Sequence, residues 1–199
     1  MKPTIDFWFD FASSYSYPAA MRIDELAEQS GVKVNWRPFL LGPIFVGQGW
    51  RDSPFNLYPL KGRYMWRDLE RICARESLPL RRPEPFPQNS LLAARCAMAI
   101  DPADRPAFAK AIFAAEFGEG DGIDDRATIA RALAAVGLTE EPLARAKTDA
   151  IKQALRAETD EAKRLELFGA PSFVTQDGEL FWGNDRLQDA IAWAVRRWI

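Results

Sequence analysis

Three serines fall within four residues near the amino terminus, Ser13, Ser14 and Ser16 in the stretch FDFASSYSYP. They follow a segment with the alternation of a strand and precede one with the periodicity of a helix. A hydroxyl at this junction could serve catalysis, because the backbone N–H groups at a helix start favour an anion. Serine is also among the preferred N-cap residues, so the cluster equally fits an ordinary helix cap.

The residue types that are missing exclude several kinds of chemistry. The chain has no histidine, which rules out a Ser-His-Asp triad and histidine-containing metal sites, and no metal site is predicted. Its two cysteines, Cys73 and Cys96, lie 23 positions apart in helical segments. They are expected to be buried reduced thiols that pack as small apolar groups, not a disulfide.

Composition indicates a folded protein that binds neither nucleic acid nor membrane. With 199 residues and 48% hydrophobic content, the chain can bury a full core. The 26 basic and 28 acidic residues give a net charge of −2 without a basic cluster, which argues against nucleic acid. Asp6 and Asp10 interrupt the first apolar stretch, and Arg95 interrupts the most apolar helical segment. A soluble, cytoplasmic protein is expected.

The first half of the chain begins with a β-α-β unit. A strand is predicted over 4–10, a helix that ends at Gly31, and a second strand over 32–39, which should pair in parallel with the first. Residues 40–56 are expected to be irregular, with aromatic side chains typical of a pocket lining. Five helices then follow, predicted over 59–76, 88–100, 103–117, 125–136 and 142–167.

The end of the chain returns to strands. PSFVT and ELFWG flank Asp177-Gly178, a hairpin turn, and a last helix is expected over 186–198 with Asn184 or Asp185 as its cap. A β-α-β half and a β-β-α half separated by helices predict a thioredoxin-like α/β fold with a large all-helical insertion. We expect residues 1–45 and 160–199 to form the thioredoxin-like domain and residues 46–159 to form the insertion.

In a thioredoxin-like fold the reactive position follows the first strand, where this chain has Ser13. Redox members carry Cys-x-x-Cys there, whereas this chain has serine at positions 13 and 16, so a thiolate would have to arrive with a ligand such as glutathione. Pro171 in FGAPSF stands where such glutathione binders hold a cis-proline. Gly183, Asn184 and Asp185 offer N–H donors and a carboxylate to a γ-glutamyl unit, or form a plain helix cap.

Four motifs together resemble one family. The opening FDFxSxYSY, then FNLYPLKGRYMWRDLER at 55–71, FGAP and WGNDRL are similar to the 2-hydroxychromene-2-carboxylate isomerases, relatives of kappa-class glutathione transferases in the DsbA-like branch of the thioredoxin superfamily. The resemblance covers essentially the whole chain. It implies a cytosolic, glutathione-dependent enzyme of bacterial aromatic-compound degradation that acts on a small aromatic carboxylate and forms a homodimer.

The resemblance also implies roles for particular residues. Ser13 matches the catalytic serine, as a hydrogen-bond donor to the glutathione sulfur. The residues matched to glutathione binding are Ala170, Pro171, Trp182, Gly183, Asn184 and Asp185. The residues matched to the substrate pocket are Phe45, Asn56, Lys61 and Phe86, with Lys61 ranked ahead of Arg37 and Arg63 as the partner of the substrate carboxylate.

Two positions depart from the family pattern. Ser14 stands where the family usually has proline after the catalytic serine, and Phe45 stands where the naphthalene-pathway enzymes place a lysine near the substrate. The second departure leaves the substrate open. Two other functions also remain open, a kappa-type glutathione transferase that conjugates electrophiles and a non-catalytic protein that binds a thiol or a partner protein.

Overall fold

A mixed four-stranded sheet forms the centre of the protein, whose computed structural model describes residues 2–196. The strands are β1 (Thr4–Phe9), β2 (Lys33–Pro38), β3 (Ser172–Thr175) and β4 (Leu180–Trp182), in the spatial order β2-β1-β3-β4. β1 and β2 pair in parallel, and β3 is antiparallel to both β1 and β4. The predicted thioredoxin-like arrangement with its helical insertion is confirmed.

The helix that crosses between the parallel strands is α1 (Ser16–Gln29). Pro18 lies in its first turn, where a missing N–H costs nothing. Gly31, with φ of 68°, follows its end. Tyr15 flanks the start of the helix and provides no side-chain cap. The serine cluster supplies a related contact instead, because Ser13 Oγ accepts a hydrogen bond from the Ser16 N–H at 3.3 Å.

The segment 40–56, expected to be irregular, contains two short helices, α2 (Leu41–Gly47) and α3 (Pro54–Leu57). Pro43 lies in the first turn of α2, where its ring does not disturb the helix. Ser53 caps α3 by accepting from Phe55 N–H at 3.3 Å. Pro43, Ser53 and Pro54 therefore stand at the starts of helices, where the sequence predicts an irregular segment.

The helices of the insertion follow the predicted positions with shifted ends. They are α4 (Pro59–Arg75), α5 (Leu91–Ala99), α6 (Arg105–Phe113), a π-helical turn (Ala114–Glu119), α7 (Arg126–Ala135), α8 (Glu141–Arg145) and α9 (Asp149–Arg164). The single helix predicted over 142–167 is wrong. Thr148 divides it by accepting from Ile151 N–H, which starts α9 as a separate helix.

The carboxyl-terminal segment has a 3₁₀ turn (Asn184–Arg186) followed by α10 (Leu187–Ala194). The predicted cap is wrong, because neither helix receives a side-chain cap from Asn184 or Asp185. The predicted helix end at 197–198 lies outside the described residues.

One hydrophobic cluster joins the sheet to the inserted helices. Phe7 and Phe9 of β1 pack with Phe113 of α6, and the cluster continues through Leu155 of α9. α9 also runs across residue 160, the predicted domain boundary. The division at 46 and 160 stays a prediction. Within residues 2–196, no helix combines the length and hydropathy needed to cross a membrane.

Candidate functional site

A large, mostly apolar cavity opens beside the start of α1. Its volume is about 790 Å³, and its lining draws on the β1–α1 turn, α2, the segment before α5 and the segment before β3. We call it the main cavity. Six of the predicted site residues line it: Ser13, Phe45, Lys61, Phe86, Ala170 and Trp182.

The Ser13 hydroxyl links two of these segments. It donates a hydrogen bond to the Ala170 carbonyl at 2.9 Å, and only 8% of Ser13 is exposed. The Ala170-Pro171 bond is cis, as the resemblance implied. The hydroxyl of Ser13 therefore lies between the first turn of α1 and the loop that precedes β3, and its proton points at the Ala170 carbonyl oxygen.

The neighbouring serines make other contacts. Ser14 also lines the main cavity, but it is buried and its hydroxyl contacts Met65 Sδ of α4 at 3.1 Å. Ser16 is fully buried, and its hydroxyl has no hydrogen-bond partner within residues 2–196. Of the two serines that line the cavity, Ser13 is the one whose hydroxyl lies against the loop before β3.

Trp182 forms the edge of the cavity next to Ala170. Its indole stacks edge-on against Phe168, with ring centroids 4.9 Å apart. A Cβ at Gly169 would lie 2.4 Å from the indole Nε1, so only glycine lets the ring pack this closely. This contact explains why the FGAP motif needs its glycine.

The GND part of WGNDRL lies next to this edge but outside the cavity lining. Gly183 donates its N–H to Pro171 O at 2.9 Å and adopts φ of 110°, a conformation that favours glycine. Asn184 is buried, and its side-chain oxygen accepts from the Arg22 guanidinium at 2.7 Å. Its side chain is thus occupied within the fold, whereas Asp185 is exposed.

Carboxylates surround the Tyr15 phenol at the mouth of the cavity. Tyr15 donates to Asp68 Oδ2 at 2.9 Å. Burial, this hydrogen bond and the nearby Asp185 carboxylate raise the pKa of Tyr15. The Tyr15 phenol therefore stays protonated, with the Asp68 carboxylate hydrogen-bonded to it and the Asp185 carboxylate close enough to act on it electrostatically.

The aromatic side chains of the 40–56 segment line the cavity as expected. Phe45 and Trp50 contact each other with ring centroids 5.6 Å apart, and Phe55 lies 6.2 Å from the ring of Tyr15. Lys61 lies over the ring of Tyr58 at 4.9 Å from its centroid. Arg51, which the sequence reading missed, is a second cation in the lining.

Three residues that the sequence offered for the substrate lie outside the lining of the main cavity. Asn56 donates to the Asp52 carboxylate and to Phe86 O, and together with Arg63 it lines a separate cleft behind Phe55 and Phe86. Arg37 lines neither cavity and pairs with Glu158 at 2.7 Å and with Asp6 at 3.4 Å.

Asp10, also missed, joins three walls of the main cavity. Its carboxylate accepts from Ala12 N–H at 3.0 Å, from Leu41 N–H at 2.7 Å and from the Ser90 hydroxyl. Burial nevertheless raises the pKa of Asp10. Its position between the first strand and the serine cluster could have identified it as a site residue. The alternation in the sequence instead places it inside the predicted strand 4–10.

A second buried acid, Glu116, lies near Asp10 on the π-helical turn. Neither of its carboxyl oxygens has a hydrogen-bond partner within the described residues. Burial, together with the charge of Asp10, raises the pKa of Glu116 well above its usual value. The protonated form is therefore favoured, which keeps an uncompensated charge out of the core.

The two thiols lie in the core. Both are free and buried, as predicted. Burial raises the pKa of Cys73 to about 11 and that of Cys96 to about 12. Both thiols therefore stay protonated at neutral pH, and neither lines the main cavity.

Comparisons with known proteins agree with this fold. The chain matches the DSBA-like thioredoxin domain over residues 4–192. It is 32% identical over 190 residues to a 2-hydroxychromene-2-carboxylate isomerase of Sphingobium xenophagum, covering 94% of this chain and 95% of the relative. It is 27% identical over 199 residues to glutathione S-transferase kappa 1 of Caenorhabditis elegans, covering 92% and 87%.

A solved structure of a 2-hydroxychromene-2-carboxylate isomerase matches with a TM-score of 0.84 at 26% identity, covering 92% of this chain and 90% of that chain. Sequence and structure thus give the same relationship along nearly the full length. The chain belongs to the 2-hydroxychromene-2-carboxylate isomerase family of DsbA-like thioredoxin proteins.

Proposed function

We propose that this protein is a glutathione-dependent isomerase. It would convert a 2-hydroxychromene-2-carboxylate-like substrate to the ring-opened, trans-benzylidenepyruvate-type isomer. The observation that carries the proposal is the Ser13 hydroxyl, held against Ala170 O at the wall of a large apolar cavity. The isomerases among the relatives support the same assignment.

The residues around Ser13 fit a bound glutathione. The first turn of α1 supplies N–H groups that favour a thiolate. Asp185 and Asp68 would supply carboxylates for the ammonium of a γ-glutamyl unit, and the N–H groups at the start of the 3₁₀ turn, on Asn184 and Asp185, would supply donors for its carboxylate. The chain's own thiols, Cys73 and Cys96, are buried away from this site, so the reactive sulfur has to be supplied by the ligand.

The chemistry that bound glutathione supplies is a thiolate that adds to the conjugated substrate, permits rotation about the former double bond, and is then eliminated unchanged. Ser13 would stabilise the thiolate by donating a hydrogen bond to the sulfur, for which its hydroxyl would turn from Ala170 O toward the ligand. Ser13 has no histidine to deprotonate it, so it acts as a donor and not as a nucleophile.

The pKa shift that the bound thiol needs is small enough for these groups to produce. A free thiol with a pKa of about 8.5 is only about 3% ionised at pH 7. Lowering that pKa by about two units requires about 2.7 kcal/mol, which a charged hydrogen bond and a helix start together provide.

The apolar wall accounts for an aromatic substrate that carries one carboxylate. Phe45, Trp50 and Phe86 offer ring faces, and the cations in the lining are Arg51 and Lys61. The substrate carboxylate would bind to one of these cations, with its ring against the aromatic side chains.

A kappa-type glutathione transferase is the second candidate, favoured by the kappa relatives at 27% and 25% identity. The two activities differ in whether the glutathione adduct eliminates. Mass analysis of the product separates them, because an isomerase gives a product of unchanged mass and a transferase adds the mass of glutathione.

The deciding experiment is calorimetry with reduced glutathione, followed by turnover of 2-hydroxychromene-2-carboxylate with and without it. We expect saturable binding and a glutathione-dependent product of unchanged mass. Absence of glutathione binding would overturn both enzyme proposals and leave a protein that binds another thiol or a partner protein. We further propose a homodimer in the cytoplasm, which light scattering and cell fractionation test.

A further inference from the structure

A second cleft lies back to back with the main cavity and has a different charge. It measures about 590 Å³ and shares the rings of Phe55 and Phe86 with the main cavity as a common wall. We call it the arginine cleft, because three arginines line it: Arg63 and Arg67 on α4, and Arg82 on the segment that follows. Nothing in the proposed isomerase activity uses it.

The charge of the arginine cleft is only partly compensated. Arg67 pairs with Glu70, the acid in the lining, at 2.6 Å. Within residues 2–196, no carboxylate lies within salt-bridge distance of Arg63 or Arg82. Arg63 and Arg82, both exposed, therefore line the cleft without an ion-pair partner among the described residues, and the three arginines outnumber the one acid of the lining, which favours an anionic ligand.

Aromatic rings form the rest of the cleft. Trp66 packs edge-on against Phe86, with ring centroids 4.8 Å apart. The guanidinium of Arg82 lies over the Trp66 ring at 5.1 Å from its centroid. Two aromatic rings at 71° to each other thus adjoin the two cations, so one ligand could contact a ring and a cation at once.

We propose that the arginine cleft is a second binding site for a small aromatic carboxylate, separate from the glutathione site. Its carboxylate binds Arg63 and Arg82, and its ring packs on Trp66 and Phe86. Because Phe86 also walls the main cavity, a ligand in the cleft steadies that wall. The site binds with or without glutathione, so its test does not depend on the isomerase activity.

The experiment uses fluorine NMR on the full chain labelled with 5-fluorotryptophan. Among the seven tryptophans, Trp66 reports on the arginine cleft, whereas Trp50 and Trp182 report on the main cavity. Phenylalanine variants assign these resonances. Titration with 1-naphthoate should shift the Trp66 resonance saturably, with a dissociation constant of its own.

The variants and probes separate charge from ring. Arg63→Gln combined with Arg82→Gln should weaken the Trp66 titration about tenfold, the loss expected for charged contacts, and leave that of Trp50 unchanged. Arg71→Gln, an exposed arginine of α4 outside the cleft, is the matched control and should change neither. Acetate, which lacks the ring, and 1-naphthalenemethanol, which lacks the charge, should each bind at least about tenfold more weakly.

Three results would overturn the proposal. In the first, 1-naphthoate moves Trp50 but not Trp66, so that the main cavity is its sole site. In the second, acetate shifts Trp66 as effectively as 1-naphthoate, which reduces the cleft to non-specific ion binding. In the third, the double variant retains the wild-type spectrum and the wild-type affinity at Trp66.

Discussion

The two sides of the main cavity are built in different ways. On the Ser13 side, buried groups are fixed by hydrogen bonds to backbone, such as Ser13 Oγ to Ala170 O and Gly183 N to Pro171 O, both 2.9 Å. On the opposite side, α2 and the segment that follows present side chains, and Val46 there is 71% exposed. We call these the backbone side and the side-chain side.

We expect the backbone side to bind the ligand that the family shares and the side-chain side to determine the substrate. Backbone contacts survive most substitutions, and they suit a ligand such as glutathione that many relatives share. Side-chain contacts change with single substitutions, and the predicted match of Phe45 to a lysine of the naphthalene-pathway enzymes would be one such change. Variants on the backbone side should therefore lose turnover, whereas those on the side-chain side should change the substrate.

Ser13→Ala should give the largest effect. Loss of the hydroxyl removes the charged hydrogen bond, about 2 kcal/mol of the thiolate stabilisation, so kcat should fall by up to about thirtyfold and the pKa of bound glutathione should rise. Stability should fall by about 1 kcal/mol, the worth of one hydrogen bond. Thiolate absorbance against pH and steady-state kinetics measure both.

Ser14→Ala is the matched control for this variant. Its hydroxyl contacts Met65 and not the cavity contact of Ser13, so the bound thiol should titrate as in the wild type. If Ser13→Ala also left the titration and kcat unchanged, Ser13 would be reduced to a residue that positions the start of α1.

Asp10→Asn tests the point where the two sides meet. An amide has one accepting oxygen, so the N–H of Ala12 or of Leu41 would lose its acceptor, at a cost of about 1–3 kcal/mol. The turn and α2 would then shift relative to each other, and kcat/KM should fall about tenfold. Thermal unfolding and kinetics test this prediction.

Asp6→Asn provides the comparison on β1, the strand that ends directly before Asp10. Its partners, Asn35 and Arg37, are partly exposed, so its loss should cost less than about 1 kcal/mol and leave kcat/KM unchanged. Equal losses from both variants would show that Asp10 contributes only to general stability.

The backbone side could be predicted from sequence much better than the side-chain side. Ser13, Ala170 and Trp182 stand in short motifs whose spacing is preserved along the chain, and the structure brings them to one cavity. Arg51 and Asp10 stand in no such motif. Their roles depend on how α2 and α5 pack around the turn, and local pattern does not encode that packing.

The arginine cleft shows the same limit. Asn56 and Arg63 both fall within the matched motif 55–71. The resemblance implied Asn56 in the substrate pocket and left Arg63 as an alternative to Lys61, yet both line the far side of Phe55 and Phe86. A sequence pattern places residues on one helix, but it does not show on which side of a buried ring they lie. Phe55 and Phe86 separate the two cavities, so their packing determines which cavity each residue lines.

Glu116→Gln probes the core beneath the backbone side. Burial raises the pKa of Glu116 in the folded protein above that of the unfolded chain, about 4.3. As pH rises above about 4.3, the unfolded chain loses this proton first and wild-type stability falls, by up to about 1.4 kcal/mol per pH unit, until the folded pKa is reached. The variant should lose this slope and become more stable relative to wild type as pH rises.

Urea unfolding between pH 4 and pH 8 measures that slope. Glu119→Gln is the control, because Glu119 lies exposed on the same π-helical turn and its side chain is solvated. A wild-type slope in the Glu116→Gln variant would mean that Glu116 is already ionised in the fold.

Arg51→Gln should give the smallest effect and the clearest sign of the side-chain side. An exposed cation that meets a substrate carboxylate contributes about 1 kcal/mol or less, so KM should rise by up to about fivefold while kcat and glutathione binding stay unchanged. The methyl ester of the substrate has no charge to lose, and its KM should be the same for the wild type and Arg51→Gln.

Lys61→Gln, the matched variant, distinguishes the two cations: a KM increase there and none in Arg51→Gln would assign the carboxylate to Lys61. A fall in kcat in Arg51→Gln would contradict the division itself, because it would give a side-chain residue a role in the reacting centre.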